Sequence, residues 1–170
     1  PSQVINFLGS TLNSVTGKAY PNQARIQNIL QMIPLFQPDR QLTEKKVMRM
    51  LGLMSSCIGV VPNARLRMRP LQRCLASQWS QAVGHIQDLV LIGVAAIRSL
   101  QWWNTNNLLQ GRPFKDPIPQ VTITTDASLS GWGAHLGEFT ARGLWSLAQA
   151  RLHINHLELL AIHLALRAFL

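Results

Sequence analysis

The spacing of apolar residues in the first 110 positions predicts a short hairpin followed by helices. Two short apolar runs flank Gly9 and Ser10, as in a β-hairpin. Apolar residues then recur at helical spacing in four stretches, 22–33, 44–60, 63–79 and 89–109. Asp88 would cap the last and longest of these helices, and Gly111 would end it. The pattern therefore predicts a helical first part, residues 1–110.

The hydrophobic pattern changes its period after a stretch rich in proline. Residues 111–119, "GRPFKDPIP", contain three prolines and a glycine and are the predicted linker. Beyond them "VTITTDA" alternates as a strand does, and "WGAHL" and "LWSL" predict a second and a third strand. The last segment, "NHLELLAIHLALRAFL", predicts a helix with Asn155 as its N-cap. Residues 120–170 are thus predicted as three antiparallel strands and a helix, and the fold class as α+β.

Composition adds limits to this picture. At 47% hydrophobic residues, a chain of 170 residues can bury a substantial core. Its two cysteines, Cys57 and Cys74, lie in apolar helical stretches without CxxC spacing, which favours buried free thiols. No stretch is long and apolar enough to predict a membrane span or a targeting segment. We therefore expect an intracellular protein, cytoplasmic or nuclear, that has no membrane partner.

The net charge of +9 is unevenly distributed along the chain. Residues 1–117 hold thirteen lysines and arginines against four acids, whereas residues 118–170 hold three of each sign. An excess of positive charge favours a polyanionic partner such as nucleic acid. The first part is therefore the candidate for contacts with phosphates.

The densest basic group lies in the third helical stretch. "ARLRMRPLQR" contributes Arg65, Arg67, Arg69 and Arg73. The preceding helical stretch adds three more basic residues, Lys45, Lys46 and Arg49. These residues form either a solvated helix face or a surface that neutralises phosphates without selecting a base sequence.

Two carboxylates in the second part are candidates for chemistry. Asp126 follows the first predicted strand, where an aspartate is either a turn former or the ligand of a cation. Helical spacing places Glu158 with Ala161 and Ala165 on an apolar face that would point inward. There it would pair with a residue such as Arg151, accept backbone donors near the helix start, or hold a metal. Two converging carboxylates suit Mg²⁺, which keeps waters and substrate phosphates among its ligands.

Several motifs resemble known retroelement proteins. "TDASLSGWGAHL", "GLWS" and "HINHLELLAIHLAL" resemble the opening of a type 1 ribonuclease H domain in retroelement polyproteins. Upstream, "INFLGSTLNS", "MRMLGLMSSCIGVVPNARLRMRPLQRCL" and "AIRSLQWWNTN" resemble the segment that follows the polymerase active site of reverse transcriptases. The combination is most similar to DIRS-like retrotransposons and covers nearly the whole chain.

This resemblance implies a role for each part. Residues 1–110 would be a thumb-like or connecting region, and residues 120–170 the first half of the nuclease. Asp126 would be the family's first metal-binding aspartate and Glu158 its helical glutamate. Two Mg²⁺ ions, with Mn²⁺ as an alternative, would then activate a water that cuts the RNA strand of an RNA–DNA hybrid.

The same resemblance implies that the site is incomplete in these residues. The family uses two further acids from a later strand and a later helix, and the sequence ends at Leu170. We therefore expect the chain alone to be inactive and the remainder of a polyprotein to be a partner. The alternative is a non-catalytic module, derived from such an element, that binds nucleic acid or another protein.

Overall fold

The computed structural model describes residues 2–80, 83–115 and 118–170. It forms two compact units, Pro1–Asp116 and Pro117–Leu170. Both combine strands with helices, and the predicted α+β class is confirmed. In the part of the chain that is described, no helix is both long and apolar enough to cross a bilayer.

The first unit contains short strands and five helices among its described residues. In chain order these are β1 (Val4–Phe7), β2 (Ser10–Asn13), β3 (Lys18–Pro21), α1 (Gln23–Met32), β4 (Gln41–Thr43), α2 (Glu44–Ser55), α3 (Ala64–Ala76), β5 (Leu89–Leu91), α4 (Val94–Gln101), α5 (Thr105–Leu108) and β6 (Arg112–Pro113). A 3₁₀ turn that contains Pro34 continues α1. The predicted hairpin and the first three predicted helices are therefore present.

The strands of the first unit form two antiparallel sheets. One has the order β1-β2-β3-β6, and the other pairs β4 with β5. The strand β6 lies inside the predicted linker and pairs with Lys18 and Ala19 of β3. Gly111 precedes β6 at φ +65°, and its α-carbon faces the ring of Tyr20. Because a side chain at position 111 would clash with that ring, glycine is required where the chain joins the sheet.

The helices of the first unit surround one hydrophobic core. Fully buried side chains from α1, α2, α3 and the residues after α4 meet there, among them Ile29, Met50, Met54, Leu71 and Trp103. Glu44 is also buried, in the first turn of α2, where the helix dipole favours a negative charge.

The prediction of one helix over residues 89–109 is wrong. Leu89–Leu91 is the strand β5, which pairs with β4, and helix α4 starts only after Gly93. The helical path stops again at Asn104, whose side chain accepts a hydrogen bond from the backbone N–H of Asn107 and begins α5. Non-local strand pairing and an internal cap therefore divide a stretch that begins with nine successive residues without a polar side chain.

The second unit is a three-stranded sheet with one long helix. Its elements are β7 (Thr124–Ala127), β8 (Gly131–Leu136), β9 (Phe139–Leu144) and α6 (Ile154–Phe169), with a 3₁₀ turn at Gln149–Arg151. The strands are antiparallel in the order β7-β8-β9. Its core contains Trp145, Leu157 and Ala161, against which Ala127 and Trp132 pack. One face of the sheet is therefore covered by α6.

Two boundaries in the second unit differ from the prediction. The third strand is "FTARGL" and not "LWSL", because Gly137 at φ +56° permits a tight turn directly after β8. Helix α6 begins at Ile154, and its N-cap is His153, whose Nδ1 accepts the backbone N–H of Asn155. Asn155, the predicted cap, is thus inside the helix.

Candidate nucleic-acid interface and carboxylate site

The basic residues of α2 are separated from the core by helical periodicity. Lys45, Lys46 and Arg49 are exposed, whereas Val47 and Met50 between and beside them are completely buried. Because residues three and four apart share a helix face, the apolar stripe fixes the rotation of α2 and turns its lysines to solvent. This half of the predicted basic surface is therefore accessible.

Three of the four predicted arginines of α3 follow one another along the exposed side of the helix. Arg65, Arg69 and Arg73 are four residues apart, which corresponds to about 6 Å along the helix axis for each step. We call these three residues the arginine row. The opposite side of α3 is buried through Met68, Leu71 and Leu75. No ion pair with a carboxylate is present for the row among the described residues, so its charge is open to solvent.

Arg67 has a different environment from the arginine row. Its guanidinium lies over the ring of Trp102, 5.3 Å from the ring centroid, which is the geometry of a cation–π contact. Its backbone carbonyl accepts hydrogen bonds from Ser99 Oγ and, at 3.4 Å, from Trp103 Nε1. Pro70, inside α3, has no backbone N–H and so removes the helical donor to the carbonyl of Leu66, the residue before Arg67. Arg67 is thus held at the contact of α3 with α4.

Arg98 of α4 is a basic residue that the sequence interpretation missed. It is exposed and lines a cavity of about 420 Å³ together with Arg67, Pro70 and Ser99. The sequence contained a weak signal, since Arg98 is the only charged residue in the apolar stretch 89–109. Its approach to Arg67 depends on the packing of α3 against α4, which spacing along the chain does not reveal.

Asp126 is exposed near the end of β7, on the sheet face that α6 does not cover. Ala127, the next residue, packs toward α6, and successive strand residues point to opposite faces. Asp126 lines a cavity of about 590 Å³ on this face, together with His135 and Arg142. Its carboxylate has no hydrogen-bond or ion-pair partner among the residues described. The side chain is therefore available to a ligand from solvent.

Glu158 does not lie on the buried face of its helix. The buried residues of α6 are Leu157, Ala161 and Ala165, and Glu158 is exposed. The prediction of an inward-facing carboxylate is wrong because the core-facing stripe is centred on Leu157, one residue earlier. Because Glu158 is exposed, its charge needs no buried counterion, and neither a bond with Arg151 nor one with a backbone donor is present in the described chain. The predicted convergence of the two carboxylates is not observed, since Asp126 lies on the sheet face that α6 does not cover.

The donor set limits which metal these carboxylates could hold. Across residues 2–80, 83–115 and 118–170, no group of three or more His, Cys, Asp and Glu side chains is placed to bind a metal ion. Mg²⁺ is commonly held by one or two carboxylates, with waters and substrate phosphates as its other ligands. The unpartnered carboxylate of Asp126 fits such a loosely held ion, whereas a closed protein cage does not fit.

Comparisons with known proteins find only loose structural likeness. No protein-family model matches the chain, and no curated protein sequence matches it. Three solved structures of foamy viral protease-reverse transcriptase align with 97–98% of the chain. Two of them are complexes with double-stranded DNA, with 15% identity and a TM-score of 0.47 for one and 14% and 0.48 for the other. The third is a complex with an RNA/DNA hybrid, with 14% identity and a TM-score of 0.49.

The chain spans only 28% and 33% of the length of the chains in the two DNA complexes, in the order given, and 22% of the chain in the hybrid complex. A TM-score below 0.5 is too low to transfer an activity or a partner. A function for this chain has to be inferred from its own residues and their geometry.

Proposed function

We propose that the chain is part of a retroelement reverse transcriptase and ribonuclease H, and that its first unit binds RNA–DNA hybrid. The observation that carries the proposal is the arginine row of α3, exposed along one helix and free of carboxylate partners among the described residues. Guanidinium groups at regular intervals suit a polyanion with regularly spaced phosphates. Lys45, Lys46 and Arg49 extend the positive surface on α2.

The second unit contributes carboxylates to hydrolysis of the RNA strand in the intact protein. By the resemblance of "TDAS" and "HLEL" to ribonuclease H motifs, Asp126 and Glu158 are the candidate metal ligands. The two do not share a face of this unit, since Asp126 lies on the side of the sheet away from α6, so the geometry supports Asp126 and the assignment of Glu158 rests on the motif alone. When bound, two Mg²⁺ ions supply a nucleophilic water and stabilise charge on the phosphate. This chain contributes an unpaired carboxylate that a phosphate can approach, because Asp126 is exposed.

A non-catalytic binding module is the second candidate function. It is favoured by the absence, among the described residues, of any group of three potential metal ligands. In this case the basic surface of the first unit would bind nucleic acid, and Asp126 and Glu158 would have no effect on it. Hydrolysis of a labelled hybrid by the full protein, tested with and without Asp126→Asn, distinguishes the two functions.

Charge reversal along the arginine row tests the binding proposal. The variant Arg65→Glu/Arg69→Glu/Arg73→Glu should weaken binding of a short RNA–DNA hybrid by about a hundredfold or more, since it exchanges three attractive phosphate contacts for repulsive ones. Fluorescence anisotropy of the labelled hybrid measures this change. Circular dichroism of the same samples checks that α3 still forms.

A variant with the same change in net charge provides the control. Arg40→Glu/Lys115→Glu/Arg151→Glu reverses three exposed basic residues outside the row and should weaken binding only slightly. Equal losses in the two triple variants would mean that net charge alone drives binding, and would remove the row from the proposal.

A further inference from the structure

The open face of the second unit's sheet carries two rows of side chains across its strands. Asp126 of β7 pairs with Gly133 of β8, which pairs with Arg142 of β9. In the neighbouring row, Thr124 pairs with His135, which pairs with Thr140. All six residues line the cavity of about 590 Å³. This face therefore presents an acid, a glycine and an arginine in line, beside a row of polar side chains.

Gly133 keeps the centre of this face free of side chains. Its backbone does not have a positive φ, and a β-carbon built there would meet no atom within 4 Å. Gly131 and Gly143 differ, since a β-carbon at 131 would lie 2.5 Å from the Gly143 carbonyl oxygen, and one at 143 would lie 2.7 Å from Trp132 Nε1. The fold of this unit thus requires glycine at 131 and 143 but not at 133.

The spacing of the strands leaves room for a ligand over Gly133. Neighbouring strands are about 4.8 Å apart, so β7 and β9 are separated by about 10 Å across β8. Arg142 can approach from one side and Asp126 from the other, and neither carboxylate nor guanidinium contacts a partner within the described residues. A negatively charged group a few ångströms wide fits over Gly133 between Asp126 and Arg142, closer to Arg142.

We propose that this face binds a backbone phosphate of nucleic acid over Gly133, with Arg142 as its principal ligand. Guanidinium donors match the oxygens of a phosphodiester, and the hydroxyl of Thr140 and the ring of His135 supply further donors from the neighbouring row. The inference rests on the proposed function, because it makes Arg142 a positioning residue for a strand whose phosphate passes beside Asp126.

The charge of Asp126 should affect the affinity for a phosphate bound beside it. An ionised carboxylate close to a phosphate repels it unless a divalent cation lies between them. With EDTA present, Asp126→Asn should therefore tighten binding of the hybrid by a few fold, whereas Arg142→Gln should weaken it by about tenfold. A merely structural role for either residue would not produce opposite changes.

The test uses the full 170-residue chain and a short RNA–DNA hybrid as the probe. Gly133→Ala and Gly133→Val should not lower the unfolding temperature, since glycine weakens a strand and a β-carbon at this position meets no atom, and they should weaken binding progressively because each added group occupies the space above β8. Arg151→Gln is the matched control for Arg142→Gln, since Arg151 is exposed in the same unit outside the cavity. When the hybrid is titrated into the protein, the NMR chemical shifts of the backbone amides of Gly133 and Arg142 should change with the dissociation constant measured for the hybrid.

Equal affinities for Arg142→Gln and Arg151→Gln, or unchanged binding by Gly133→Val in a folded protein, would overturn the proposal. The outcome for the phosphate site of the second unit can be distinguished from the outcome for the arginine row of the first unit. If reversal of the row leaves binding intact while Arg142→Gln weakens it, the proposed function of the first unit fails and the phosphate site stands. If the row matters and the open face shows no amide shifts, the reverse holds.

Discussion

Cys57 shows how burial alone changes the chemistry of a side chain. It lies in the core of the first unit, and burial raises the pKa of its thiol above the ordinary value of 9.0, although Arg25 and a hydrogen bond with Ser56 oppose this change. Cys74 is half-buried, and its Sγ lies 3.2 Å from the Leu91 carbonyl oxygen. Both thiols are free, as the spacing of the cysteines predicts.

The raised pKa of Cys57 predicts a loss of stability in alkaline solution. Above pH 9 the unfolded thiol releases its proton while the folded one retains it, so the unfolded state is favoured as the pH rises toward the folded pKa. One such group contributes a slope of at most about 1.4 kcal/mol per pH unit. The free energy of unfolding, measured by urea between pH 8 and pH 10.5, should fall more steeply for the wild type than for Cys57→Ala. Identical slopes would show that this thiol does not titrate differently in the two states.

The wrong prediction that Glu158 points inward has its cause in a single step along the helix. The sequence pattern fixes a helix with apolar and polar sides, but Ala161 and Ala165 are compatible with a buried stripe centred on either Leu157 or Glu158. The sheet beneath decides between them, because Ala127 and Trp132 pack against Leu157 and Ala161. A wheel drawn for α6 alone contains no information on that partner.

At the scale of elements, local signals predict well what local interactions stabilise. The helix α1 follows from its N-cap Asn22, which accepts the backbone N–H of Arg25, and from the stop at Pro34. The strand β5 could not be predicted in this way, because "LVLIGVAAI" is apolar throughout and only its pairing with β4 makes Leu89–Leu91 extended. Likewise, β3 and β6 depend on a sheet whose strands are nearly a hundred residues apart.

The hairpin of β1 and β2 contains a strained turn residue. Leu8 and Gly9 both have positive φ, of 47° and 80°, as a two-residue type I′ turn requires. Glycine suits position 9 because of its positive φ, and a side chain there would also displace the guanidinium of Arg25. Leu8 is 82% exposed and gains little from packing that could offset its left-handed backbone.

We therefore expect Leu8→Asn to stabilise the first unit by about 1 kcal/mol, because asparagine tolerates the left-handed region. Thermal and urea unfolding measure the change. Leu129→Asn is a matched control, since Leu129 is exposed in the second unit and its φ is not positive. A destabilisation by Leu8→Asn would show that the turn is not type I′ in solution.

In the whole chain, the excess of positive charge and the exposed Asp126 belong to different units. The basic excess lies in the first 117 residues, where the described arginines and lysines of α2, α3 and α4 are exposed. The second unit is balanced in charge and presents an unpartnered aspartate on an open sheet face. The uneven charge follows directly from the sequence. The sequence could not predict which arginines share a surface, since Arg67 and Arg98 line one cavity only through the packing of α3 on α4.

The salt dependence of hybrid binding shows how many phosphates the arginine row neutralises. Each phosphate neutralised by a basic residue releases counterions, so the association constant K falls as the salt concentration rises. The magnitude of the slope of log K against log salt concentration decreases by about 1 for each contact that is lost. Neutralising the arginine row, with Arg65→Gln/Arg69→Gln/Arg73→Gln, should reduce the magnitude of this slope by about 3. A slope equal to that of the wild type, measured on a folded variant, would mean that the arginine row makes no phosphate contacts in the complex.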